Sequence, residues 1–315
     1  MTGDRVLIVA RKNTVAEGVV VIELRSADGA ALPAWAPGAH IDLECGSLTR
    51  QYSLCGDPGD LSTYRVAVRR ENPGRGGSAY VHDQLAEGDP VTVTGPRNHF
   101  PLVAAQRYIF VAGGIGITPI LPMLAAAQKN DIDWRLAYGG RSRISMPFVA
   151  DLLDQYSGRV MVHPEDEVGL LDLDALVGAP SAGTAVYCCG PEPLLKAVEQ
   201  RASTWFAGTL HLERFAPKDI VTGPDTAFQI EIASTGQVLD VPAHRSALDV
   251  LTESGIDVLS SCTEGTCGTC ETGVLAGEID HRDSLLSADE QQANDVMFVC
   301  VSRAQEHNAL LVLDL

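Results

Sequence analysis

The sequence predicts a multidomain chain: an antiparallel β-barrel, then an α/β domain with a parallel sheet, then a small β-grasp domain built around a metal cluster. Three observations carry this. Six short β-branched runs fill the first hundred residues with few helical patterns among them. A continuous apolar run, Tyr108 to Ala112, then ends in a glycine turn and a helix, the opening of a nucleotide-binding βαβ unit. Further on, Cys262, Cys267 and Cys270 stand at C-x4-C-x2-C spacing, followed thirty residues later by Cys300. That is the plant-type ligand pattern for a [2Fe-2S] cluster. Structural zinc would call for two C-x2-C knuckles or Cys/His pairs, and only one C-x2-C is present.

Bulk properties narrow the class. At 315 residues the chain exceeds one ordinary core, and 45% hydrophobic with 20% charged residues is a folded composition. No apolar run approaches the roughly 18 residues of a membrane span. No signal-peptide pattern is evident at the N-terminus. With four of the eight cysteines claimed by the cluster and Cys188 adjacent to Cys189, a reducing cytoplasm and a monomer are expected. A formal charge of -18 without a basic stretch argues against nucleic acid. The charge is uneven: residues 1–102 carry 12 acids and 10 bases, 103–227 carry 14 and 10, and 228–315 carry 15 and 3. An acidic face of this kind either solubilises the domain or steers a basic partner toward it.

The barrel strands are read at Val6 to Ala10, Val19 to Leu24, His40 to Leu43, Gln51 to Leu54, Tyr64 to Val68 and Val91 to Thr94. Alternation in Arg50-Gln51-Tyr52-Ser53-Leu54 places Arg50, Tyr52 and Leu54 on one face and Gln51 and Ser53 on the other. Gly74-Arg75-Gly76-Gly77-Ser78 then runs into a short helix, a turn suited to a phosphate. Taken together, R-x-Y-S and G-G-S resemble the flavin domain of the ferredoxin-NADP reductase superfamily, and in particular the phthalate dioxygenase reductase branch, which includes reductases of vanillate-type demethylases. The resemblance implies that Arg50, Tyr52 and Ser53 hold the flavin, with Ser53 near ring N5, and that Gly76, Gly77 and Ser78 hold the FMN phosphate. Arg69 would be a second phosphate contact. Gly95 to Leu102 resembles the family's domain hinge, and His99 is expected to be structural.

In the middle domain the turn Gly113-Gly114-Ile115-Gly116-Ile117-Thr118-Pro119 precedes a helix read from Ile120 to Gln128. Pro119 replaces the third glycine of G-x-G-x-x-G, which departs from ordinary Rossmann dehydrogenases and matches the superfamily's G-x-G-x-[TS]-P. By that resemblance Gly113, Gly114 and Gly116 approach a pyrophosphate and Thr118 lies near the nicotinamide. Strands at Trp134 to Tyr138, Val160 to Val162 and Ala185 to Cys188, with a helix around Phe148 to Gln155, continue the β/α alternation. Cys189-Gly190-Pro191 matches the family turn beside the nicotinamide, where the cysteine positions the cofactor and is not a nucleophile. Arg141 and Arg143 could meet a 2'-phosphate, the pyrophosphate or water, while the branch resembled uses NADH. Phe215 matches a residue that packs at the flavin ring, although a strand-end core role would suit it as well.

Ala216 to Thr226 reads as a linker. Beyond it, a hairpin at Phe228 to Ala233 and Gln237 to Val241, a helix at Ser246 to Glu253, the cysteine loop, a strand Glu271 to Leu275 and a strand Val296 to Val301 carrying Cys300 make a β-grasp ferredoxin pattern. Expected domains are 1–102 for FMN, 103–215 for the nucleotide, 216–227 as linker and 228–315 for the cluster. The ferredoxin domain comes last, whereas FAD-using relatives place it first. The resemblance therefore implies an NADH-dependent reductase that feeds a Rieske-type aromatic oxygenase, with Ser53 and Thr118 at the hydride transfer. A cytochrome P450 or a separate carrier is the alternative acceptor.

Overall fold

The computed structural model describes residues 4–71, 73–206, 208–218 and 223–315. The chain divides into two compact units, Met1–Glu213 and Arg214–Leu315. Among the described residues no helix is long and apolar enough to cross a membrane.

The first unit begins with β1 (Arg5–Ala16), β2 (Val19–Ser26), β3 (His40–Cys45), β4 (Leu48–Ser53), β5 (Tyr64–Arg69), helix α1 (Gly77–Asp83) and β6 (Pro90–Arg97). The strands pair in the order β4-β3-β6-β1-β2-β5. The outer two then meet: Leu54 bridges Val66, and the Cys55 N–H donates to the Arg65 carbonyl at 2.8 Å, closing a barrel. All six expected strands are present. β1 continues past the expected Ala10 because register shifts at Val9/Arg11 and Thr14/Ala16 bend it along the barrel wall. Inward residues such as Leu7, Ile22, Leu24, Ile41, Leu43 and Val66 fill the barrel.

The same unit continues with β7 (Arg107–Gly113), α2 (Ile117–Lys129), β8 (Asp133–Gly140), α3 (Val149–Gln155), β9 (Val160–Pro164), α4 (Glu165–Val168), α5 (Leu173–Val177), β10 (Thr184–Cys189), α6 (Glu192–Ala202) and β11 (Leu210–Glu213). These strands form a parallel sheet ordered β11-β10-β7-β8-β9. The chain winds outward from β7 through β8 to β9, then crosses back to β10, so the strand order reverses between β7 and β10. α2 starts three residues before the expected Ile120, because a proline in the first turn gives up no hydrogen bond. The expected break at residue 102 separates two sheets but not two cores. Val19, Val21, Cys55 and Ala67 of the barrel pack in one cluster with Phe100, Phe110, Ile117 and Tyr187. Arg65 also lies over the Phe148 ring, 5.2 Å from its centroid.

The second unit comprises β12 (Phe228–Ile232), β13 (Gln237–Val241), α7 (Ala247–Glu253), β14 (Glu271–Ala276), β15 (Ile279–Asp280), α8 (Ala288–Ala293), β16 (Val296–Phe298), β17 (Arg303–Ala304) and β18 (Leu310–Leu313). Its sheet runs β13-β12-β18-β14-β16, with β12 and β18 parallel. Leu248 and Leu251 of α7 join Ile230, Met297 and Leu311 in the core, so the sheet wraps one helix. Ser246 and Asp249 form a capping box that starts this helix where expected.

Two expectations change. Cys300 is not in a strand: β16 stops at Phe298, whose carbonyl accepts from both the Val301 and Ser302 N–H groups, and Cys300 sits in the resulting turn. The expected linker is engaged in part, since Lys218 bonds to Ser284, Asp225 to Arg282 and Thr226 to Arg303. Residues 219–222 of that linker lie outside the described residues.

Candidate functional site

β4 carries the R-x-Y-S residues, and its register with β3 sets Leu43 opposite Arg50, Ile41 opposite Tyr52 and His40 opposite Ser53. Tyr52 packs on the barrel core, and burial pushes its phenol well up from the usual range. Ser53 is buried at the strand end. Gly76 precedes α1 at φ 98°, a left-handed conformation, and a Cβ on Gly77 would stand 2.5 Å from Arg50 Cγ. The two motifs, distant in sequence, are therefore in contact. Ser78 Oγ accepts the Glu71 N–H at 3.1 Å, which leaves its own O–H to donate. Arg69 lies half-exposed, 4.0 Å from Glu71. A left-handed glycine, a second glycine with no room for a side chain and an arginine laid against it fit an anionic phosphate.

Lys12 was not legible as part of this region. Its Nζ donates to the carbonyls of His82 and Leu85 at 2.8 and 2.7 Å, pinning the far end of α1. A lysine placed 70 residues from its partners in sequence leaves no local signal.

The nucleotide turns meet at the strand reversal. β7 ends at Gly113 and β10 at Cys189, in parallel register with Ala112 beside Cys189. A Cβ on Gly113 would stand 2.6 Å from Pro191 Cδ, and one on Gly116 would run into the Cys189 carbonyl. Only Gly114, at φ 55°, faces space with nothing within 4 Å. Of the three glycines, two are thus required by packing and one is open for a ligand's close approach. Open parallel sheets bind nucleotides at this reversal, at the carboxyl ends of the strands. Thr118 is buried, and its Oγ1 donates to the Ile115 carbonyl at 3.0 Å. Pro122 has no N–H to offer the Thr118 carbonyl one turn back.

Cys189 is fully buried, with its sulfur 3.7 Å from Glu213 Oε2. Burial first, and then the Glu213 carboxyl, push the thiol well above its ordinary value, so it is no nucleophile. Burial likewise pushes the Glu213 carboxyl up to about 8, although part of that residue's surface stays open. Arg143 is taken by Glu167 in a two-point ion pair at 3.1 and 2.8 Å, while Arg141 is exposed. Phe215 is half-exposed and belongs to the second unit.

In the second unit the cysteine loop wraps its own sulfurs. Thr263, Gly265 and Gly268 adopt positive φ, which turns successive amides inward. The Glu264 and Thr266 N–H groups point to Cys262 Sγ at 3.3 and 3.5 Å, and the Thr269 N–H to Cys267 Sγ at 3.5 Å. Hydrogen bonds from Cys267 and then Cys300 hold the Cys262 thiol well below the usual range. No three metal-binding side chains converge on one point among the described residues. The thiols adjoin in a run, Cys267 beside Cys262, Cys262 beside Cys300 and Cys300 beside Cys270. Four adjoining thiols ringed by amides fit a two-iron cluster. The His281 side chain lies beside Asp283, Nδ1 to Oδ1 at 3.8 Å.

Two outcomes follow from this packing. Gly116→Ala should destabilise the first unit by about 1–3 kcal/mol through overpacking against Cys189, read as a lower midpoint in urea. For Glu213, a folded pKa near 8 against an ordinary 4.5 means that the protonated acid favours the fold below pH 4.5 and loses that effect as pH rises toward 8. Glu213→Gln should therefore raise Tm at pH 8 relative to the parent and leave it little changed at pH 4.5; equal shifts at both would contradict the assignment.

The comparisons agree with this geometry. Residues 230–305 match the family described as 2Fe-2S iron-sulfur cluster binding domain. The chain is 40% identical to vanillate O-demethylase oxidoreductase from a Pseudomonas species, over 98% of this chain and 99% of that one. It superposes on the crystal structure of phthalate dioxygenase reductase with a TM-score of 0.73 at 37% identity, covering 99% of this chain and 98% of the other. It also matches an intact type IV self-sufficient cytochrome P450 monooxygenase with a TM-score of 0.92 at 42% identity, and there it spans 41% of the longer chain. The barrel, the parallel sheet with its interlocked turns and the C-terminal cluster domain together place this chain in the phthalate dioxygenase reductase family of oxidoreductases, to which the vanillate O-demethylase reductases also belong.

Proposed function

We propose that the chain is an NADH-dependent FMN/[2Fe-2S] reductase that passes electrons one at a time to a terminal Rieske-type oxygenase acting on an aromatic compound by ring hydroxylation or O-demethylation. The observation that carries this reading is the presence, in one chain, of a strand reversal with an open Gly114 and a thiol set ringed by its own amides. A bound flavin would supply the redox link between a two-electron hydride donor and a centre that takes single electrons.

The protein's own residues bind and orient. Arg50, Gly76, Gly77, Ser78 and Arg69 would hold the FMN phosphate, and Tyr52 and Ser53 would border the ring. Gly114 would admit the pyrophosphate, while Gly113, Gly116, Cys189, Gly190 and Pro191 shape the nicotinamide side. Thr118, with its hydroxyl proton committed to Ile115, acts by position and offers its oxygens as acceptors. Cys262, Cys267, Cys270 and Cys300 would ligate the cluster.

The Arg143–Glu167 pair supports NADH over NADPH, because a carboxylate already occupies the arginine that a 2'-phosphate would need. The second unit supports a basic partner. Arg245, Arg282 and Arg303, the bases of residues 228–315, are bonded to Glu253, to Asp225 and Asp280, and to backbone carbonyls. The acids of that surface are left in excess. The likeness to a self-sufficient cytochrome P450 favours a second reading, in which a haem monooxygenase is the acceptor.

Stopped-flow mixing of the reconstituted protein with NADH tests the core of the reading. Flavin bleaching should precede cluster reduction, and Cys300→Ser should preserve the first phase and abolish the second. Absence of bleaching in the parent would reject it. Releasing Arg143 with Glu167→Gln should raise kcat/KM for NADPH several-fold, a modest gain because an exposed pair constrains the arginine only weakly, with little change for NADH.

A further inference from the structure

We propose that Ser284 is a positioning residue for the cluster, holding the Gly265–Thr266 peptide so that its amide faces the Cys262 sulfur and joining that peptide to the segment at Lys218. This rests on the reading of the four cysteines as cluster ligands. Ser284 is buried, its Oγ accepts the Lys218 N–H at 2.8 Å, and its own N–H donates to the Gly265 carbonyl at 2.9 Å. The Thr266 N–H, in the same peptide as that carbonyl, points to Cys262 Sγ at 3.5 Å. Because the Gly265 carbonyl and the Thr266 N–H lie in one planar peptide, fixing the first fixes the direction of the second.

The neighbours of Ser284 reinforce the same junction. Asp283 Oδ2 accepts from the Leu285 and Leu286 N–H groups at 3.0 and 2.8 Å, locking the turn, and its Cα would stand 3.1 Å from a Cβ on Gly265. The Arg282 N–H donates to Ser302 Oγ at 3.3 Å, two residues past Cys300, while its guanidinium holds Asp280 and Asp225. Arg303 donates to the Thr226 carbonyl at 2.9 Å. Residues 282–284 therefore touch the entering chain at Lys218 and at Asp225, the cysteine loop at Gly265, and the turn that carries Cys300. Amide hydrogen bonds to cluster sulfur stabilise the reduced, more negative state. A slackened Thr266 amide should make reduction harder.

The full-length protein, reconstituted with flavin, iron and sulfide, tests this by redox titration followed by visible absorption and EPR. Ser284→Ala removes the acceptor and Lys218→Pro removes the donor of one hydrogen bond. Each should lower the cluster's midpoint potential, disfavouring reduction by a factor of up to ten, at most about 59 mV for a one-electron centre. The double variant should shift no further than either single one, and NADH-driven flavin bleaching should keep its parental rate in all three. Parental potentials in both single variants, or additive shifts in the double, would overturn the proposal. Should Ser284→Ala fail to retain a cluster, Lys218→Pro decides alone, because it leaves Ser284 in place. A parent that takes up no cluster would instead defeat the reading on which the proposal rests.

Discussion

Backbone contact at the strand reversal is the constraint on which the first unit depends. Gly113 and Gly116 lie against Pro191 and Cys189 so closely that no side chain fits at either position. The contact joins the end of β7 to the end of β10 and leaves Gly114 as the open edge of the crevice. It also explains why Cys189 is buried and inert: the residue belongs to the seam between two turns, not to a surface where a substrate could meet it.

Much of this was legible because the signals are local. The strand, glycine turn and helix from Tyr108 onward, the helix at Ser246 and the C-x4-C-x2-C loop are each one continuous stretch of chain, and each folds as its residue types require. Helix α8 went unread although Ser287 and Glu290 form the same kind of cap. What could not be read locally depends on long-range contact. Lys12 reaches the end of α1, Gly77 accepts Arg50 across the barrel, and the barrel and parallel sheet share one core despite the apparent boundary at residue 102. Strand periodicity extended Val296 to Val301 past its true end because the turn that stops it is made by backbone bonds to Phe298, which composition does not encode.

The glycines show the same limit at finer scale. Sequence marks Gly113, Gly114 and Gly116 as one motif with one purpose, but the structure divides them into two that pack and one that is open. In the cysteine loop the division differs again. There Gly265 and Gly268 exist for their left-handed backbone, which turns amides toward sulfur.

Of the eight cysteines, Cys262 is the most open to solvent, and the other seven are buried. Chemical damage from water, whether by oxygen or by an alkylating reagent, would thus begin at a single corner of the iron centre. The two barrel thiols and the Cys188-Cys189 pair are shielded from such attack, so loss of colour on storage would report on that corner and not on general thiol ageing.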